Sequence, residues 1–163
     1  MIIDLKERPM SRVQLALNVS DLEEAIAFYS ALFDATPAKV RPGYANFAIA
    51  EPPLKLVLIE GAGDPGSINH LGVEVASTDE VHAATVALAA KGLGGDVEEQ
   101  TTCCYAVQDK VWVDGPDGAR WEVYTVLADA DDDAALGGDE RCCTPATASL
   151  HVAARPGASS SCC

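Results

Sequence analysis

The sequence predicts an α+β fold made of two tandem βαβββ modules. Two observations lead to this prediction. A strand, a helix with a capping motif and several short strands follow one another in the same order twice, in residues 12–60 and 68–127. The segments QLALNV and HLGVEV near the start of the two halves also align, and this alignment pairs Gln14 with His70. We expect the sheets of the two modules to face each other around a cleft.

The first module follows from local patterns. Alternation in RVQLALNV, residues 12–19, predicts a strand. The spacing of Ser20 and Glu23 is that of a capping box, and apolar residues then recur at helical spacing as far as Phe33. Three short strands are predicted next, with Pro52-Pro53 between the last two: 38–41, 44–50 and 54–60.

The second module follows a glycine-rich linker, residues 61–67. Its helix is predicted between a capping box that begins at Ser77 and a C-terminal glycine, Gly92. The predicted strands, with a turn at 114–118, are 68–75, 96–101, 105–113 and 120–127. This module is longer than the first, and the insertion contains Cys103 and Cys104. Such insertions are usually functional or mobile.

The two ends of the chain are predicted to lie outside the modules. Residues 1–11 are expected to form a short exposed leader. After Leu127 the sequence becomes acidic and polar and has no hydrophobic period. Residues 128–163 are therefore predicted to be a disordered tail whose removal leaves the core activity in place.

Charge and composition exclude several classes of partner. The net charge of -14 argues against binding to nucleic acid or to anionic membranes, because both repel an acidic protein. The chain has no run of about 18 apolar residues and no secretory hydrophobic region at its start. We therefore expect a cytoplasmic protein, either a monomer or a homodimer.

The six cysteines form three adjacent pairs: Cys103/Cys104, Cys142/Cys143 and Cys162/Cys163. Neighbouring cysteines cannot join distant segments, so the pairs predict reduced, chelating thiols in place of a disulfide framework. The two pairs in the tail either capture a metalloid or are simply exposed thiols. No role is predicted for His82 or His151.

A metal site is predicted in the cleft. Alternation along the strands allows Gln14, His70 and Glu122 to face it together. An amide oxygen, an imidazole and a carboxylate with open positions suit Fe(II) or a similar divalent ion. Each residue also has a structural alternative: a polar surface Gln, a hydrogen-bonded core His or a solvated Glu. Glu74 is about 13 Å from His70 along the strand and is not expected to join, and Glu60 is expected to be a solvated strand end.

The pair Cys103-Cys104 predicts a site for a soft metalloid. A trivalent organoarsenical keeps its carbon bond and has two exchangeable hydroxyls, which two thiolates can replace. Tyr105 or Trp112 would pack on the organic group. Lys110 would order the loop or offset thiolate charge, or it is a solvated strand lysine. Tyr105 and Lys110 are also candidates for a catalytic role, and no general base is apparent. The structural alternative for the pair is two small buried residues in a loop.

The segments QLALNVSDLEEAIAFYSALF, NHLGVEV and CCYAVQDKVWVDGPDGARWEVY resemble the vicinal oxygen chelate superfamily (glyoxalase, bleomycin resistance and extradiol dioxygenase proteins). Within it, residues 12–127 are most similar to bacterial C–As lyases. The resemblance implies that Fe(II) and dioxygen are used to convert methylarsonous acid to arsenite and formaldehyde, and to cleave trivalent aromatic arsenicals. It also implies Gln14, His70 and Glu122 as metal ligands and Cys103 and Cys104 as the arsenical site.

The resemblance leaves other functions open. Iron dioxygenases of this superfamily usually have His where this chain has Gln14, so Ni(II), Zn(II) and Mn(II) are alternative metals. One rival is a non-catalytic Cd(II)- or As(III)-binding resistance protein, similar to cadmium-induced members of the family. Another is a glyoxalase-like, metal-dependent isomerase, which would not need Cys103 or Cys104.

Overall fold

The computed structural model describes residues 11–103 and 105–130. Within them, two α-helices and eight strands follow the predicted order, and one short 3₁₀ helix, Pro116–Gly118, precedes the last strand. The elements are β1 (Arg12–Val19), α1 (Leu22–Phe33), β2 (Lys39–Arg41), β3 (Tyr44–Ile49), β4 (Leu54–Glu60), β5 (Ile68–Glu74), α2 (Thr78–Ala90), β6 (Val97–Cys103), β7 (Ala106–Asp114) and β8 (Arg120–Asp129). The fold is therefore α+β with two βαβββ modules.

The eight strands form one mixed sheet in the order β2-β3-β4-β1-β5-β8-β7-β6. At its centre β1 and β5, the first strands of the two modules, pair antiparallel, and each has a parallel neighbour on its other side, β4 and β8 respectively. The modules thus share one curled sheet, whereas the sequence predicted two separate sheets facing each other. Curvature of this single sheet creates the cleft on its concave side.

The helices cover the convex side of the sheet. Alternate residues of β3 and β4 point to α1 and pack with Leu22 at the start of the helix. The buried members of this core are Leu22, Ala45, Phe47, Ile49, Leu56 and Leu58. The intervening residues of the same strands face the concave side, where the polar Asn46 and Lys55 line the cleft beside a second apolar cluster that includes Val57 and Ile59.

The helix N-termini partly match the predicted capping motifs. For α2, Ser77 is the N-cap and its Oγ accepts from Glu80 N at 3.3 Å, as predicted. For α1 the N-cap is Asp21 in place of Ser20, because the Asp21 carboxylate accepts from Glu24 N at 2.8 Å. Glu60 was expected to be solvated only, yet it also accepts from Leu22 N at 3.2 Å.

The second module extends further than the sequence predicted. The β6 strand runs to Cys103, which pairs with Ala106 of β7, so Cys103 lies in a strand and not in an open loop. The β8 strand continues to Asp129, because Ala128 and Asp129 pair with the start of β7. Strand structure therefore crosses the predicted boundary after Leu127.

Several predictions fall outside the described residues. They concern the leader up to residue 10, Cys104, and residues 131–163 with His151 and the two cysteine pairs of the tail. No helix within the described ranges has the length and hydrophobicity of a membrane-spanning segment.

Candidate metal centre and thiol site

A glycine allows two predicted ligands to meet above the sheet. Gln14 of β1, Gly72 of β5 and Glu122 of β8 occupy one row of paired residues. A Cβ atom on Gly72 would lie 3.0 Å from Glu122 Cγ and 3.4 Å from Gln14 Cβ. Because that space is empty, Gln14 Nε2 reaches across and donates to Glu122 Oε1 at 2.7 Å. The strand glycine thus permits a close approach of neighbouring side chains.

His70 completes the group. Its Nε2 atom lies 3.1 Å from Gln14 Nε2 and 3.4 Å from Glu122 Oε1. Gln14, His70 and Glu122 are only 4%, 5% and 3% exposed. The contact that the repeat predicts between Gln14 and His70 is present, and the role of the three residues as metal ligands stays a prediction.

A chain of amides fixes the orientation of His70. Asn69 Oδ1 lies 2.7 Å from His70 Nδ1, while Asn69 Nδ2 donates to Asn18 Oδ1 at 3.0 Å. Asn18 Nδ2 in turn donates to Ser67 Oγ at 2.8 Å. With its oxygen directed to the ring, Asn69 keeps the proton on Nδ1 and leaves the Nε2 lone pair directed toward Gln14 and Glu122.

Lys110 keeps Glu122 ionised. Burial raises the pKa of Glu122, but the charge of Lys110 and the neighbouring His70 ring outweigh this effect and hold the pKa at about 2. Lys110 Nζ donates to Glu122 Oε2 at 2.7 Å, so Oε1 remains directed toward Gln14 and His70. Lys110 is only 1% exposed. The solvated lysine considered from the sequence is therefore wrong, because Lys110 alternates onto the concave face of β7.

Tyr124 holds the amide of Gln14. Its hydroxyl donates to Gln14 Oε1 at 2.5 Å, and burial raises the pKa of Tyr124 so that the phenol stays neutral. In this arrangement the NH₂ group of Gln14 bonds to both His70 Nε2 and Glu122 Oε1, in the place where a cation would sit. A half-turn of the amide would present Oε1 there instead, with the Tyr124 hydroxyl accepting from Nε2.

These donors fit a divalent ion. After such a half-turn, one amide oxygen, one imidazole nitrogen and one carboxylate oxygen would converge, and these are donors that a divalent ion such as Fe(II) accepts. In the part of the chain that the structure describes, no three His, Cys, Asp or Glu side chains cluster as ligands. A metal bound here would therefore depend on the amide of Gln14.

Cys103 lines the same cavity as this group. Its side chain is 5% exposed and lines a cavity of about 240 Å³ that is also lined by Gln14, His70 and Glu122. The cavity therefore brings the first predicted thiol and the three predicted ligands together. The second thiol, Cys104, belongs to a residue outside the described ranges. Trp112, predicted to pack on the organic group, lines the same cavity.

Tyr105 attaches the β6–β7 hairpin to the first module. Its carbonyl accepts from Lys39 Nζ and from Ala130 N, each at 3.0 Å, and its hydroxyl donates to Pro42 O at 3.3 Å. Lys39 also pairs with the carboxylate of Asp129. These contacts are structural, so they give no support for the predicted catalytic role of Tyr105.

Three residues that support the site, Gly72, Asn69 and Tyr124, were not predicted from the sequence. Gly72 carried a usable signal, since a glycine inside a strand often marks a close approach of neighbours. Asn69 and Tyr124 carried none, because their partners lie 51 and 110 residues away. Glu74, expected not to join the metal group, is instead bound by Arg12 at 2.7 Å.

Comparison with known families agrees with this fold. A family model described as the Glyoxalase/Bleomycin resistance protein/Dioxygenase superfamily matches residues 11–123. The chain belongs to this superfamily. A solved structure of an extradiol ring-cleaving dioxygenase from B. fuscum superimposes with a TM-score of 0.55 at 17% identity, covering 74% of this chain and 34% of that one. At that identity the likeness concerns the fold alone.

Two relatives are similar in sequence. A protein named trivalent organoarsenical cleaving enzyme, from Thermomonospora curvata, is 63% identical over 83% of this chain and 90% of its own length. A protein named cadmium-induced protein CadI, from Mycobacterium bovis, is 67% identical over 75% of this chain and 80% of its own length. The first name describes an enzymatic activity, whereas the second describes induction by cadmium.

Proposed function

We propose that the protein cleaves the carbon–arsenic bond of trivalent organoarsenicals in a reaction that uses Fe(II) and dioxygen. One observation carries this proposal: Cys103 and the group of Gln14, His70 and Glu122 line a single cavity. A thiol binds a soft arsenic centre, while amide, imidazole and carboxylate bind a harder divalent ion. The relative from Thermomonospora curvata that is named trivalent organoarsenical cleaving enzyme supports the cleavage of an organoarsenical.

The residues of the chain would have distinct roles. Cys103 and Cys104 would replace the two arsenic hydroxyls, releasing two waters and holding the arsenic while the carbon bond remains intact. Gln14, His70 and Glu122 would hold the iron, with Asn69 fixing the orientation of the His70 ring and Lys110 keeping Glu122 ionised. Bound Fe(II) supplies the one-electron chemistry that dioxygen needs in order to react. Enclosure by the cavity would limit the access of water.

The overall reaction of the simplest substrate balances without an added reductant. Methylarsonous acid and one dioxygen molecule contain the same atoms as arsenous acid and formaldehyde. Arsenic stays trivalent, the methyl carbon loses four electrons, and dioxygen gains four. The chain therefore needs no binding site for a reducing cofactor.

A turnover experiment tests this proposal. Protein loaded with Fe(II) in air should release arsenite and formaldehyde from methylarsonous acid, in more than one equivalent per chain. Ni(II), Zn(II) or Mn(II), or the exclusion of air, should give no product. Cys103→Ser and Glu122→Gln should abolish turnover. Two matched controls should retain turnover. Cys142→Ser changes a cysteine of another pair, and Glu74→Gln changes a glutamate that Arg12 binds outside the predicted ligand set.

The second candidate is non-catalytic binding of Cd(II) or As(III), because one relative, 67% identical, is named for its induction by cadmium. It predicts stoichiometric binding and no release of arsenite under any condition. The same experiment separates the two functions. A binding protein takes up at most one equivalent of metal or metalloid per site and releases no product, whereas an enzyme releases more than one equivalent of product per chain.

A further inference from the structure

The cavity contains a lysine that the proposed reaction does not use. Lys55 of β4 pairs with Gln14 of β1, so the row through the metal group reads Lys55, Gln14, Gly72 and Glu122 across four strands. Neighbouring strands lie about 4.8 Å apart, so Lys55 is one strand beyond Gln14. Its side chain is 15% exposed and lines the same cavity as Cys103.

Lys55 has the weakest carboxylate partner of the three lysines that line the cavity. Lys110 donates to Glu122 at 2.7 Å, and Lys39 forms a close pair with Asp129. The Lys55 ammonium lies 3.9 Å from Glu74 Oε1, and the other oxygen of Glu74 is held by Arg12 at 2.7 Å. Because this partner is distant, binding of a further anion would stabilise the partly buried ammonium of Lys55.

The cavity is also more cationic than the chain around it. Three lysines and two carboxylates, Glu122 and Asp129, line it, whereas the whole chain carries a net charge of -14. The rest of the lining includes the aromatic side chains of Tyr44 and Trp112. A cavity of about 150 Å³ accommodates benzene, so the 240 Å³ present here admits a ring with a small substituent.

We propose that the cavity selects aryl arsenicals whose ring carries an anionic substituent, with Lys55 binding that substituent. Cys103 would hold the arsenic, Tyr44 and Trp112 would contact the ring, and the Lys55 ammonium would donate to the anion. This proposal rests on the proposed function for its arsenic site. It names the substrate class: an arylarsenous acid with a carboxylate or a similar group on the ring.

Binding by metal-free protein under nitrogen tests the proposal without relying on turnover. The probes are the trivalent phenyl, 4-carbamoylphenyl, 3-carboxyphenyl and 4-carboxyphenyl arsenicals, each competed against a small dithiol. At least one carboxylate compound should bind wild type about tenfold more tightly than the phenyl and carbamoyl compounds. A tenfold change corresponds to about 1.4 kcal/mol, within reach of one charge-assisted hydrogen bond.

Variants of Lys55 identify the group responsible. Lys55→Met keeps the length of the side chain and should remove the preference, while Lys55→Arg should keep most of it. Lys91→Met changes the net charge of the chain equally at an exposed position after α2 and should leave the preference intact. Circular dichroism checks the fold of each variant, and the comparison among probes on wild type does not depend on any of them.

The outcomes separate the two proposals. Equal binding of all four compounds to wild type overturns the anionic substrate class alone. A preference that survives in Lys55→Met, or that disappears equally in Lys91→Met, also overturns the role of Lys55. Failure of wild type to bind any of the four compounds overturns the arsenic site, and with it the function on which this inference rests.

Discussion

Gln14 Nε2 donates to Glu122 Oε1 at 2.7 Å, although 108 residues separate the two positions in the chain. The contact exists because Gly72 lies between them in the sheet and has no side chain. The geometry of the candidate metal centre therefore depends on a residue that contributes no ligand.

Replacing Gly72 with alanine should disturb this contact. The new Cβ would lie 3.0 Å from Glu122 Cγ, so Glu122 or the strand must shift. We expect the free energy of unfolding to fall by about 1–3 kcal/mol, the usual cost of overpacking, and Fe(II) affinity to fall as well. Urea unfolding and anaerobic titration calorimetry measure the two effects. Unchanged values for both would show that the row tolerates a methyl group and that Gly72 is not required.

Removing the Lys110 charge should destabilise the protein even without metal. Lys110→Met leaves the Glu122 carboxylate buried without its ammonium, and loss of one partner of a buried ion pair costs about 3–5 kcal/mol. The double variant Lys110→Met/Glu122→Gln should recover much of this loss, because it removes both charges. Urea unfolding of the metal-free proteins provides the comparison. A double variant as unstable as Lys110→Met would indicate that lost packing dominates.

Asp109 predicts a pH dependence of stability away from the metal group. A hydrogen bond from Thr78 and another from the backbone N–H of Gln100 lower the pKa of Asp109. A carboxyl group with a lowered folded-state pKa contributes stability that is fully present above the unfolded value, about 3.9, and is lost as the pH falls through the folded value. The urea midpoint of wild type should therefore be higher than that of Asp109→Asn at pH 7, and this difference should shrink below about pH 4.

The control for this measurement is Asp64→Asn, which removes an exposed carboxylate from the linker. Its urea midpoint should follow that of wild type across the same pH range. A difference between wild type and Asp109→Asn that stays constant down to pH 2 would contradict the account, because it would mean that the charge of Asp109 contributes nothing.

Two truncations should behave differently. A chain ending at Ala130 keeps the Asp129 carboxylate that pairs with Lys39 and the N–H that binds Tyr105 O. A chain ending at Leu127 loses both contacts, so the hairpin that carries Cys103 should be held less firmly. We expect the shorter chain to have a lower urea midpoint and faster amide exchange in β6 and β7. Equal urea midpoints and equal amide exchange rates in the two chains would show that the folded module ends at Leu127, as the sequence predicted.

The sequence predicted the repeated elements and one contact, because these depend on local periodicity and on a match between the two halves. Gln14 and His70 could be paired from that match alone. Glu122 could be placed on the last strand, but its ion pair with Lys110 depends on how β7 and β8 align, which local patterns do not specify. The β8 strand reaches Asp129 because the start of β7 pairs with it, in a region whose composition resembles that of a tail.

We expect one cavity of the protein to hold a divalent ion and the arsenic of the substrate side by side. A crystal structure of the protein with Fe(II) and phenylarsine oxide, prepared under nitrogen, tests it most directly. The account predicts an ion ligated by Gln14 Oε1, His70 Nε2 and Glu122 Oε1, with arsenic bonded to Cys103 Sγ in the same cavity. An ion bound elsewhere, or arsenic bonded only to cysteines outside the cavity, would contradict it.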